Sequence, residues 1–173
     1  MTIPYIRLAR PTDVPAIMPI IESARQLLAQ QGIPQWQDGH PNQATIQADI
    51  AQQIGYVLVV DQQLAGYTAL LQTPDPNYQP IDGAWGRYTT PEHYATLHRV
   101  AIGAQFRGHH LGRLFISNLV TRAYELGFRD LRIDTHQQNH TMQHLIESTG
   151  FKYRGIITIQ RDGSPRLAYQ LLY

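Results

Sequence analysis

The run from Leu97 to Phe151 constrains this 173-residue sequence more than any other part of it. Tyr94 to Ile102 has strand character, and Gln105 to Gly112 is a glycine-containing turn. From Leu111 to Leu126 the apolar residues Ile116, Leu119, Val120, Ala123 and Leu126 recur at helical spacing, and Gly127 stops the helix. Leu131 to Thr135 is a further strand, parallel to the first. Asn139 then opens a helix with Met142, Leu145, Ile146 and Thr149 at i, i+3, i+4 and i+7, which Gly150 caps. The turn before the first helix is a ready anion site, because helix-opening N–H groups lack partners and the dipole adds to them. It has neither a Walker lysine nor a dinucleotide-type glycine run, which disfavours a nucleotide-binding module.

The flanking segments fit one domain. Ile3 to Leu8 is a short strand, and Thr12 or Asp13 caps a helix that runs to about Gln31 on Ile17, Ile20, Ile21, Ala24, Leu27 and Leu28. Pro19 is expected to strain it. A second helix is expected over Gln43–Gln53. Tyr56–Val60 and Leu64–Leu71 form a hairpin, as do Lys152–Gln160 and Arg166–Leu172. Thr73 to Glu92 is a long loop rich in Pro, Gly, Asp and aromatics, and loops of that length are commonly functional.

Composition excludes several classes of function. Fourteen Lys+Arg against thirteen Asp+Glu leave a net charge of +1, which argues against nucleic acid or a charged membrane surface as partner. With no cysteine there is no disulfide, thiolate metal site or Cys nucleophile. No apolar run approaches the ~18 residues of a membrane span, and no signal peptide is seen, so a cytoplasmic protein is expected. Adjacent His109 and His110 point apart and lack spaced partners, so no metal site is expected.

The chain resembles the GCN5-related N-acetyltransferase (GNAT) superfamily. That family's loop is Arg/Gln-x-x-Gly-x-Gly/Ala, which Arg107-Gly108-His109-His110-Leu111-Gly112 matches at Arg107 and Gly112. Its later signature, an Asn opening a helix that ends in Gly-Phe, is met by Asn139, Gly150 and Phe151. The resemblance implies an α/β (α+β) acyl-CoA N-acyltransferase fold. Its sheet is mixed, mostly antiparallel, twisted and seven-stranded, flanked by about four helices in the order β-α-α-β-β-β-α-β-α-β-β. It implies acetyl-CoA as donor, with pyrophosphate on the N–H groups of Arg107, Gly108, His109, His110, Leu111, Gly112 and Arg113. The pantetheine arm would lie beside Val100, Ala101 and Ile102, between strands that splay apart, with Asn139 steadying that side.

Two positions depart from the family. His110 replaces the middle glycine, and Ile146 stands where many members carry a tyrosine acid. The transfer needs a base for the amine and a donor to the thioester oxygen. The N–H near Val100 suits the second. For the base, His98 ranks first because it lies on the strand flanking the acyl group, with Glu92 and His136 as runners-up. Trp36, Trp85 and Tyr94 are expected to line an acceptor pocket. The expected reaction is direct acetyl transfer to a small-molecule amine. The alternatives are a protein or peptide N-acetyltransferase and a catalytically silent acyl-CoA-binding module. The last hairpin offers an edge for pairing with a second copy, so a homodimer is a further expectation.

Overall fold

The computed structural model describes residues 3–86 and 93–173, so Glu92 lies outside the described residues. Twelve elements follow one another: β1 (Tyr5–Leu8), α1 (Val14–Gln30), α2 (Gln43–Ala51), β2 (Gly55–Val60), β3 (Gln63–Leu71), β4 (Asp82–Gly83), β5 (Ala95–Ile102), α3 (Leu111–Glu125), β6 (Asp130–Thr135), α4 (His140–Ser148), β7 (Lys152–Thr158) and β8 (Pro165–Leu172). The strand order is β1-β2-β3-β5-β6-β8-β7-β4, in one mixed, mostly antiparallel sheet. The sheet thus has the expected architecture with one strand more than the seven predicted. By backbone proximity the chain forms two compact units.

The first unit takes the chain as far as Leu70 together with Arg99–Asn118. Here β1 pairs antiparallel with β2, Tyr5 opposite Val59 and Leu8 opposite Tyr56. β2 turns into β3 at Asp61 and Gln62, both at positive φ. Ile17, Ile20 and Ile21 of α1 meet Ile46 and Ile50 of α2, with Val57, Val59 and Tyr67 from the strands. Burying each such side chain contributes about 1.5–3 kcal/mol. Pro19 sits within α1 without ending it, because it lies on the exposed side, where water can satisfy the carbonyl left without a partner. Asp13 is the N-cap residue, yet its carboxylate binds the Arg10 N–H and the Arg7 guanidinium rather than the helix. α2 stops at Ala51, short of the expected Gln53, which adopts a φ of +57°.

The second unit comprises Leu71–His98 and Leu119–Tyr173. The start of β5 runs parallel to β6, Ala95 opposite Leu131 and Leu97 opposite Ile133. β6 pairs antiparallel with β8, and β8 with β7. The extra strand, β4, arises inside the segment expected to be a plain loop. It pairs Gly83 with Gly155 of β7. Both glycines have φ near +140°, and a Cβ on either would lie 2.2 Å from a backbone oxygen of the other strand, so only glycine permits this approach. Tyr78, Tyr94, Ile157 and Ala168 form the buried cluster beneath it. No helix among the described residues is long and apolar enough to cross a membrane.

Candidate active site

In the first unit β5 leads through Gly103 and a single 3-10 turn into α3. Arg107 pins this loop from behind. Its Nε donates to the Ile102 carbonyl at 3.2 Å and its Nη2 to Ser23 Oγ at 3.0 Å. The guanidinium is therefore committed to the fold, and the loop's backbone is what it can offer a ligand. Gly108 has φ +82°, with nothing within 4 Å of where a Cβ would stand. His110 also adopts a left-handed φ, +58°. Histidine is among the non-glycine residues that tolerate this region, so the turn keeps the shape that a glycine there would give. Gly108, His109 and His110 are exposed, and the first turn of α3 contains no acidic residue. The N–H groups opening a 15-residue helix thus meet a first turn without carboxylates, which suits a pyrophosphate.

The strand before the loop is held by groups not singled out in the sequence. Arg99 has φ +58° within β5. Its guanidinium grips Asp49 of α2 through two bonds, Nε at 2.9 Å and Nη2 at 2.6 Å. Tyr67 donates its hydroxyl to the same carboxylate at 2.7 Å, and burial with that neighbouring charge pushes the phenol's pKa up. Asp49 is 4% exposed. Asp49→Ala would leave a guanidinium and a phenol without their shared acceptor. It should destabilise the protein by about 3 kcal/mol, a fall in melting temperature of roughly 6–12 °C, measurable by thermal denaturation. Trp36 belongs to this unit too. It packs partly buried against the α1–α2 core, and its carbonyl accepts from Arg25 Nε at 3.1 Å.

The second unit gathers a polar cluster around His98. Nε2 lies 2.6 Å from Oδ2 of Asp75. Burial alone would raise the Asp75 carboxyl, but the hydrogen bond and charge of His98, with two bonds from Asn77, hold it below the ordinary value. An ionised carboxylate only accepts, so Nε2 carries a proton toward Asp75, and in the neutral ring the lone pair falls on Nδ1. The Asp75 N–H donates to the Tyr94 hydroxyl at 2.9 Å. Tyr78 presents its ring edge to His98 and donates its hydroxyl to Asp134 of β6 at 2.7 Å. Burial raises the pKa of both Asp134 and Tyr78.

The remaining candidates take varied places. Tyr94 is 2% exposed, and Trp85 stacks on Tyr78 while donating Nε1–H to its carbonyl. The Arg132 guanidinium lies over both the Trp85 and Tyr94 rings. Tyr94 thus contacts Asp75 directly, and Trp85 joins the cluster through Tyr78. His136 follows β6, is 7% exposed and accepts the Gln138 N–H at Nδ1. Asn139 caps α4 by accepting from Met142 N–H at 3.2 Å. Ile146 is fully buried, so this position packs the core.

His136 carries a pH prediction. Burial, with the nearby Arg166 charge, lowers its pKa from 6.5. The unfolded chain therefore binds this proton more readily. The stability it confers is fully present above pH 6.5 and is lost as pH falls through the lowered folded value. Melting temperature should decline below pH 6.5, and His136→Gln should flatten that part of the profile.

Comparison with known proteins bears on the family and the fold. Residues 21–151 match the model of the acetyltransferase (GNAT) family. A GNAT-family acetyltransferase from Streptococcus agalactiae superposes with a TM-score of 0.90 at 38% identity, covering 98% of this chain and 95% of that one. One from Listeria monocytogenes shares the fold at a TM-score of 0.75 and 21% identity, covering 98% and 95%. A Salmonella typhimurium protein, yncA, whose structure contains its cofactor acetyl-CoA, shares it at 0.67 and 18%, covering 98% and 93%. No curated protein sequence matches significantly.

Proposed function

Because the chain belongs to the acetyltransferase (GNAT) family, we propose that it moves an acetyl group from acetyl-CoA directly to a primary amine of a small molecule, with His98 as general base. The observation that carries this reading is the Asp75–His98 pair, two residues before Val100 on β5. A carboxylate bonded to one imidazole nitrogen fixes the direction in which the ring presents the other.

Acetyl-CoA supplies an activated acyl carbon and a thiolate leaving group. The backbone N–H groups from Arg107 to Arg113 would hold its pyrophosphate, and the β5 backbone from Val100 to Ile102 its pantetheine arm. Attack of an amine nitrogen on that carbon would break the C–S bond and release the thiolate. His98 Nδ1 would take the proton the nitrogen loses, directly or through one water. The Val100 N–H would donate to the thioester oxygen as charge develops there. With no cysteine in the chain, the simplest covalent route is removed.

A small acceptor is favoured over a peptide by Asp75 and Tyr78. Both are buried and bonded to His98 and Asp134 respectively, so packed side chains back one side of the base. The test is CoA release from acetyl-CoA against a panel of small primary amines and of peptides with free N-termini or lysines. Amine-dependent release with the small acceptors only is expected. Release with peptides alone would overturn the small-molecule reading, and release with neither would leave a silent binding module.

A further inference from the structure

Building on the proposed transfer to a small amine, we infer that the acceptor also carries a carboxylate, which Arg166 of β8 binds while His98 receives the amine. Arg166 is 7% exposed. Its Nη1 donates to Ser164 Oγ at 2.8 Å and to the Pro165 carbonyl at 3.0 Å. Among the described residues it forms no ion pair, and its Nε and Nη2 make no hydrogen bond. Neither Nε nor Nη2 is a fully buried atom, so this edge of a mostly buried guanidinium is open to an incoming anion. The unused Nε–Nη2 edge is the side of arginine that matches a carboxylate through two parallel bonds.

The register places this edge with the base. Thr96 of β5 stands opposite Arg132 of β6, so His98 and Asp134, two residues on, share one face. Asp134 stands opposite Ala168 of β8, which puts Arg166 on that face as well. Burial raises the Asp134 carboxyl, and the charges of His98 and Arg166 both act against that rise. The acidic groups near Arg166 have other commitments. Asp134 accepts from Tyr78, and Asp162 is turned onto the Ser164 N–H and hydroxyl. One sheet face therefore presents an oriented base and an unmet cation, an arrangement suited to a molecule bearing both an amine and a carboxylate.

The test compares kcat/KM for α- and ω-amino acids with that for the same amines lacking the carboxylate, in wild type, Arg166→Gln and Arg166→Lys. Wild type should favour at least one carboxylate-bearing acceptor by about tenfold or more. Arg166→Gln should collapse that ratio toward one through KM for the carboxylate-bearing partner, and Arg166→Lys should keep part of it. Equal use of the paired acceptors by wild type would overturn the inference. So would an equal loss for both partners in Arg166→Gln and Arg166→Lys, because Arg166 would then only hold the Ser164 turn. Transfer to no amine at all would sink the parent reading, a result distinct from transfer without carboxylate preference.

Discussion

Gly112→Glu should abolish acetyl-CoA binding while leaving the fold intact. Gly112 is the second residue of α3, in the turn whose N–H groups have no partners within the helix. A glutamate there places a negative charge and a side chain where the proposed site takes a pyrophosphate. Like charges a few ångströms apart repel by about 1 kcal/mol in water and about 4 kcal/mol at a protein surface. Steric exclusion adds to this, so affinity should fall at least about a hundredfold, a factor that corresponds to about 2.8 kcal/mol. The charge itself suits a helix N-terminus and should not destabilise α3. Calorimetric titration and a melting curve separate the two effects. Unchanged affinity in a folded Gly112→Glu protein would remove the loop from the cofactor site.

His98→Ala should lower kcat by roughly 10²–10⁴, the usual contribution of a positioned base. The deficit should shrink as pH rises, because the neutral amine fraction then grows without the enzyme's help. Asp75→Asn should give a smaller loss. An amide can donate to Nε2, which would turn the imidazole and move its lone pair away from Nδ1. A pH–rate profile for His98→Ala that parallels wild type at every pH would refute the assignment. A loss in kcat for both variants, smaller for Asp75→Asn, would mark Asp75 as a positioning residue.

The parts of this site that could be read from the sequence are the local ones. The turn before α3 announces itself through Arg107, Gly108 and Gly112 beside a strongly periodic helix, and Asn139 sits at the cap it predicted. Asp75 was invisible because its partner His98 is 23 residues away, and Tyr78 reaches Asp134 across 56. No periodicity encodes such pairs. The segment containing them reads as a loop because one buried residue, Tyr78, in a single 3-10 turn capped by Asp75 leaves no repeat. β4 was missed for the same reason. Two residues carry no alternation, and the Gly83–Gly155 contact that makes the strand lies far apart in the chain. Nor can sequence show the Arg132 guanidinium lying over the rings of Trp85 and Tyr94. The Arg99–Asp49 pair has no signature in the sequence either, since a left-handed kink inside a strand leaves no signal when the residue is not glycine.

The most direct test of the central claim is calorimetric titration of the purified protein with acetyl-CoA, alongside free CoA and ATP. The account predicts saturable binding of acetyl-CoA and CoA, lost in Gly112→Glu, with ATP weaker than either. Absence of any acetyl-CoA binding at millimolar concentration would contradict it, and would mean that His110, despite its glycine-like backbone, closes the loop to the cofactor.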